Sequence, residues 1–424
     1  MVVPMSWSFG ICCNCLVVLL QLVVVARSDG FFKDHSRLTK TLFSKYEKAL
    51  LPANSTDVVS AKIGLSFMDF HVIDKEESIT LNAWMDMEWV DFRLSWDPSE
   101  YNGLTTLRVN YKNIWRPDVV LYNAYLPQSM NPTFEETMVQ ITSDGLVFYP
   151  SHVTLKAACP MDLRNFPYDT QSCRFKFGSW IYNGFQLNIT KRSQVVDLSN
   201  YRLNQRWELT NTTTTTNVIY YSCCPESYPD ITFNLTIKRR PEQLSMMYVC
   251  PAFVLALLVP LVFLQPYGSG DKTMLAVGIQ LCVLSVVYSL QDYINADRTA
   301  SPLLVKYYGL IFVCATAALI TSTVVNAVIG GCVRGPPDSL YKIFTCCSLC
   351  LCAGGEAPVS KSESVVRDEM SEGYFNKRSE GSPPKTARAK WTVIATVIDR
   401  INFVVFVALI GYGMAAYFVE MAKV

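Results

Sequence analysis

Tyr220-Tyr221-Ser222-Cys223-Cys224-Pro225-Glu226-Ser227-Tyr228 sets two adjacent cysteines between tyrosines. Neighbouring cysteines bond only by distorting the peptide between them, so a bridged pair would be a stiff, strained tip on a loop. With Tyr221 on one side and Tyr228 on the other, such a tip has the form of a clamp over a ligand. A free or palmitoylated pair and a metal-ligating pair are the competing readings, and no histidine lies near to support the last. Upstream, a second pair, Cys159 and Cys173, encloses Phe166-Pro167-Tyr168-Asp169. The chemistry on offer is capture, not catalysis. The three histidines, His35, His71 and His152, stand out of helical reach of one another and of any cysteine. No zinc site or proton-transfer constellation is expected from them, and so no metal, cofactor or enzymatic activity.

Residues 1–28 read as a secretory signal: an apolar run from Cys15 to Ala26, then Ala26-Arg27-Ser28 as a cleavage point, without the usual positive start. Of fifteen cysteines, only Cys159, Cys173, Cys223 and Cys224 fall between this segment and the first long apolar stretch. An even set in an oxidising compartment is most simply two bridges. Sequons at Asn54, Asn188, Asn211 and Asn234 occupy the same region and mark a glycosylated exterior. Half of the 424 residues are apolar, too many for an ordinary soluble protein. The net charge of +1 provides no basic face for a nucleic acid.

The elements that must position these residues come in two kinds. Over 29–241 the pattern is alternating, with a short amphipathic helix from Phe31 to Lys48 and then brief runs broken by Asn, Asp, Gly and Pro. Ser78–Trp89 and Phe233–Lys238 are the clearest strands, and many strands without intervening helices imply a β-sandwich. Beyond it, apolar stretches at about 245–266, 272–291, 303–330 and 393–420 each suffice to cross hydrocarbon. Three spans fall within 242–330 and the fourth within 391–424. Four spans after a cleaved signal leave both termini outside. Segment 331–390, rich in Ser, Pro, Gly, Lys and Arg, then faces the cytoplasm, largely without structure. Its Cys346, Cys347, Cys350 and Cys352 read better as palmitoylation sites than as zinc ligands.

The second span is unusually polar. Steps of three and four place Asp271, Met274, Gly278, Leu281, Ser285, Tyr288 and Asp292 on one face. Several copies around an axis would stack these into rings: carboxylates at both ends to concentrate cations, and a leucine ring at mid-height able to gate by dewetting. Packing among neighbouring helices with tolerated polar residues is the other reading.

In this order the elements resemble the pentameric ligand-gated channels, or Cys-loop receptors, and within them a nicotinic acetylcholine receptor subunit of alpha type. The resemblance rests on the thirteen residues between Cys159 and Cys173, and on Trp115-Arg116-Pro117-Asp118-Val119-Val120-Leu121-Tyr122-Asn123, Gly178-Ser179-Trp180-Ile181-Tyr182 and Tyr221 to Tyr228 with their paired cysteines. It implies a β-sandwich extracellular ligand-binding domain followed by a four-helix transmembrane domain, pentameric, in the plasma membrane. It assigns the principal binding face to Tyr122, Trp180, Tyr221, Cys223, Cys224 and Tyr228. The complementary face falls to Trp84, Gln140, Phe148 and Pro150 of the neighbouring subunit. One sequence thus carries both halves, which makes a homopentamer the economical expectation and a hetero-pentamer the alternative. A quaternary ammonium donates no hydrogen bond, so electron-rich rings are the means of holding it, each worth roughly 0.5 to 2 kcal/mol. The resemblance also places coupling between binding and pore at Asp74, Phe166, Pro167, Asp169, Arg239 and Pro302, with Arg239 pairing one of the carboxylates.

The pore departs from the family's pattern. Asp271 stands where cation-selective members have glutamate, and the proline-alanine insertion of anion channels is absent from Gly268-Ser269-Gly270-Asp271-Lys272, so cation selectivity is expected. Met274 and Gly278 replace small hydroxyl residues, and Asn295 stands where proline is common. The expected function is a cation channel opened by acetylcholine or a related amine. The alternatives are a receptor for another small cationic or zwitterionic ligand and a ligand-binding subunit that does not conduct alone.

Overall fold

The computed structural model describes residues 32–53, 57–130, 132, 137–222, 225–266, 270–294, 301–331, 335–350 and 385–422. The expected signal, Asn54, Cys223, Cys224, Asn295 and most of the expected cytoplasmic segment lie outside the described residues. Two compact units emerge: one of residues up to Met161 and Thr170–Arg239, the other of Asp162–Asp169 and Arg240 onward.

The first unit opens with a helix over 32–43, shorter than the sequence pattern had implied. Ten strands follow: β1 Val59–Ile73, β2 Ser78–Val90, β3 Thr106–Asn110, β4 Val119–Leu121, β5 Met138–Thr142, β6 Leu146–Ala158, β7 Thr170–Ser179, β8 Leu187–Lys191, β9 Trp207–Tyr220 and β10 Ser227–Arg239. They form a six-stranded sheet in the order β3-β5-β6-β2-β1-β8 and a four-stranded sheet β4-β7-β10-β9. On β2 the alternation is strict: Ala83, Met85, Met87 and Trp89 are buried, while Asn82, Trp84, Asp86 and Glu88 face outward. β7 and β10 send Cys173, Phe175, Phe177, Ile231, Phe233, Leu235 and Ile237 into the core from the other sheet. Cys159 and Cys173 are bonded.

Two buried ion pairs pin this unit. Asp91, fully buried, receives Arg93 at 2.8 Å and the Tyr46 hydroxyl at 2.7 Å, and Arg93 also donates to the carbonyls of Glu47 and Leu50. The chain after the first helix is thereby fastened to the loop following β2. Arg239, at the end of β10, pairs with Asp74 at the β1–β2 turn and lies 4.1 Å from the Trp207 ring.

Among the described residues the second unit carries four helices long and apolar enough to cross a membrane: Glu242–Leu264, Gly270–Asp292, Leu303–Val328 and Ala389–Met421. The second is the least covered, with 22 % of its most apolar stretch buried against 50 % for the first. The expected stripe is its open face: Asp271, Met274, Leu281, Ser285, Tyr288 and Asp292 are exposed and Gly278 half-buried, with Lys272, Ala276, Ile279 and Val283 turned inward. Part of the span's polarity serves packing. Lys272 meets Asp399 of the last helix at 2.5 Å, and the Gln280 amide donates to Thr316 at 2.8 Å. Phe166 lies 6.4 Å from Tyr248 and 5.4 Å from Tyr293, while Ser245 donates to the Tyr168 hydroxyl at 2.9 Å. The Leu303 amide donates to the Arg164 carbonyl beside buried Pro302.

The last helix begins at Lys385, and a further helix, Asp338–Cys350, lies within the segment expected to be largely without structure. Its first half reads Asp-Ser-Leu-Tyr-Lys-Ile-Phe, and the spacing of Leu340, Ile343 and Phe344 is helical, a local signal that overall composition obscured.

Arg93→Ala leaves the Asp91 carboxylate buried without its cation and should destabilise the sandwich by about 3 kcal/mol. Thermal unfolding of the purified protein checks this; an unchanged midpoint would refute it.

Candidate functional site

Three loops of the first unit bring rings to one place. Tyr122 follows β4, Trp180 follows β7, and Tyr221 and Tyr228 stand at the facing ends of β9 and β10. Together with Lys176 and Ser179 they line an open cavity of about 400 Å³. Tyr122 and Trp180 meet edge to face at 6.5 Å, and Tyr221 and Tyr228 at 5.5 Å. Edge-to-face contact sets the positive rim of one ring against the negative face of another, which orients the rings relative to one another.

Tyr122 and the turn that carries Trp180 are held from behind. The Tyr122 hydroxyl donates to the Ser179 carbonyl at 2.6 Å, which requires the ring to cross β7 closely. A Cβ on Gly178 would stand 2.3 Å from that ring, so only glycine fits there. Burial, followed by the influence of Tyr221 and Asp230, holds the Tyr122 phenol well above its usual range, so it remains a neutral donor. Asp118 fixes the turn that carries Trp180: it accepts from the Ser179 hydroxyl at 2.5 Å, the Trp180 amide at 3.0 Å and the Ile181 amide at 2.8 Å. With its backbone held, Trp180 is left 66 % exposed.

The structure also reveals charged groups that the sequence reading did not single out. The Lys176 ammonium lies 5.8 Å from the Tyr122 ring and 3.1 Å from the buried carboxylate of Asp230, which also accepts from the Asn217 amide at 2.8 Å. A cation therefore already borders the cavity, neutralised by Asp230. The signal was the outward place of Lys176 on an alternating strand, which a scan for aromatics passes over.

Trp84, Gln140, Phe148 and Pro150 are brought together elsewhere, on the outward face of the six-stranded sheet. Glu88 pairs with Phe148, Asp86 with Pro150 and Gln140 with Phe148 across neighbouring strands, and Trp84 stands 42 % exposed beside them. None of the four lines the aromatic cavity. Arg192, also unforeseen, joins this face: it contacts Asp86 at 2.9 Å and Glu88 at 3.4 Å, with its guanidinium 4.9 Å from the Phe148 ring. Burial pushes the Asp86 carboxyl up, opposed by Arg192. Within one chain there are thus two separate patches, a clustered group of rings and a sheet face with one exposed tryptophan. Among the described residues no group of three or more metal-ligating side chains occurs.

A sandwich with a ring-lined cleft, followed in the chain by four membrane-length helices, has the architecture of a multi-pass membrane protein. Residues 35–241 match the family model of the neurotransmitter-gated ion-channel ligand binding domain. The chain is 34 % identical over 307 residues to acetylcholine receptor subunit alpha-like 2 of Drosophila melanogaster, covering 70 % of this chain and 53 % of that one. It is 33 % identical over 321 residues to neuronal acetylcholine receptor subunit alpha-9 of Homo sapiens, covering 75 % and 65 %. With acetylcholine receptor subunit alpha-L1 of Schistocerca gregaria the figures are 34 % over 285 residues, 65 % and 51 %. The chain spans between about half and two thirds of the length of these relatives. It belongs to the Cys-loop receptors, among the alpha-type nicotinic subunits, a family of receptors and not of enzymes.

Asp118→Ala removes the acceptor of two backbone amides and a hydroxyl behind Trp180. With hydrogen bonds to a charged group worth about 1.5–3 kcal/mol each, affinity for a cationic ligand should fall roughly tenfold to a hundredfold. Equilibrium binding alongside an unchanged circular dichroism spectrum checks this; parental affinity would refute it.

Proposed function

We propose that this chain is a subunit of a cation-selective channel opened by acetylcholine or a related quaternary or protonated amine. The observation that carries the reading is the convergence of Tyr122, Trp180, Tyr221 and Tyr228 on one cavity that is open on one side. Ring faces attract a cation that can neither donate a hydrogen bond nor reach a carboxylate at contact distance. Four rings around a space of about 400 Å³ support a small cation, and the names of the relatives, acetylcholine receptor subunits, suggest which one.

Trp84, with Gln140, Phe148 and Pro150, would close the open side from a neighbouring copy, since both patches belong to one sequence. Five copies then make five sites, and a partner subunit bearing either patch could substitute. Cys223 and Cys224 would form the tip that closes over the amine. Binding opens the pore only as far as the ligand prefers the open state. Arg239 and Asp74 are the pair on which transmission would depend, because Arg239 ends β10 three residues before the first span begins. Phe166, Pro167, Asp169 and Pro302 are the corresponding contributors beside the helices. Both termini and the sequons would lie outside the cell, at a synapse or another lipid surface of the plasma membrane.

The exposed stripe of the second span would line the pore. Asp271 and Asp292 end the stripe and favour cations, and Leu281 lies midway. Met274, 77 % exposed, and Tyr288, 73 % exposed, favour a second reading on the same face: rings of such bulk would obstruct ions in a homomer, leaving a subunit that binds ligand and conducts only with a partner. A receptor for a different small cation or zwitterion is the remaining alternative.

Expression in oocytes with applied acetylcholine tests the whole. Current with a cation reversal potential supports the channel. Surface pentamers that bind ligand in silence support the non-conducting subunit, and the absence of ligand binding overturns both. Trp180→Ala should abolish binding of cationic agonists while sparing assembly; equal affinity would remove the cage. Leu281→Thr should move the agonist response to lower concentration, because a hydroxyl wets the narrow level; an unmoved response curve would show that Leu281 does not gate.

A further inference from the structure

A second cavity, about 540 Å³, lies on the outer face of the four-stranded sheet and shares Lys176 with the aromatic cleft. That volume falls within the range of about 300–1,000 Å³ that receives a small organic molecule. Its lining includes Arg174 on β7, Thr215 on β9 and Asn234 on β10, with Pro160 beside the disulfide at one side. No aromatic ring lines it. The walls are instead hydroxyls, amides and two cationic side chains, groups that hydrogen-bond sugar hydroxyls and do not attract an ammonium.

Asn234 opens the sequon Asn234-Leu235-Thr236, and Leu235 is fully buried, so its two neighbours point outward together. The strand register adds a second relation. Asn234 stands opposite Thr213, and Asn211 opposite Thr236, so each sequon's hydroxyl lies beside the other's asparagine. The Asn234 amide donates to the Thr213 hydroxyl at 3.3 Å. A glycosylated amide keeps one N–H, so that bond survives modification.

We propose that Asn234 carries an N-linked glycan whose core sugars lie in this cavity, extending along the sheet face between the disulfide at Cys159 and Lys176 beside the ligand cleft. In forming it, Nδ2 of Asn234 takes C1 of the first N-acetylglucosamine from a polyprenyl-diphosphate-linked oligosaccharide. One C–N bond forms, one C–O bond breaks, the polyprenyl diphosphate leaves, and the amide gives up one proton. The inference rests on this domain lying outside the cell. Asn188, exposed on β8 and not among the residues that line this cavity, is the internal control.

The test uses the full chain expressed in animal cells, with site occupancy read by mass spectrometry of glycopeptides before and after treatment with peptide N-glycosidase. Asn234 should be occupied, and its sugar should leave the native protein at least tenfold more slowly than that of Asn188, with the difference vanishing on denaturation. Thr236→Ala should remove one glycan's mass. Sugar at Asn188 with none at Asn234, or equal release from both in the native protein, would overturn the proposal. Sugar at neither site would overturn the exterior placement and this inference with it.

Discussion

An antiparallel sheet with one face in the core spends alternate residues on that core and leaves the others for chemistry, and this two-residue period is the constraint on which the molecule depends. On β2 the inward set of Ala83, Met85, Met87 and Trp89 fills the sandwich, and the outward set of Trp84, Asp86 and Glu88 is left at the sheet's outer face. On β7 the inward Cys173, Phe175 and Phe177 hold the sheets together while the outward Arg174 and Lys176 border two cavities. A slip of one residue would exchange the two sets on any strand. The linings of the two cavities are therefore as well specified as the core.

Charge is handled by one rule throughout. Where a charged group is buried it has a partner: Asp91 with Arg93, Arg239 with Asp74, Asp230 with Lys176, and Lys272 with Asp399 among the helices. Such pairs seldom add much net stability, since desolvation cancels most of the attraction, but losing either partner is costly. They act as position locks. Asp230 does this beside the ring cluster, where it neutralises the lysine that borders the aromatic cavity.

The second span divides its polarity in a related way. Gln280 and Lys272 face inward and are satisfied by Thr316 and Asp399, whereas Met274, Ser285 and Tyr288 are left open. A tally of polar residues along the span treats the two groups alike. Their separation required neighbouring helices with which the inward residues could pair.

The sandwich, the four apolar helices and the bond between Cys159 and Cys173 were legible in the residue order, because alternation, hydrophobic length and cysteine spacing are local properties, whereas the identity of the clustered rings came from the resemblance to a family. The stripe on the second span was legible for the same reason, from helical steps alone. Asp118 behind Trp180, Lys176 with Asp230, Arg192 across Phe148 and the facing sequons on β9 and β10 were not, because each relation joins residues far apart in the chain and depends on strand register. The order of residues by itself determined which side chains exist and which face of their own element they share. The tertiary structure alone decided which faces meet, and burial and hydrogen bonding between distant strands then made some of those side chains anchors and left others free to bind.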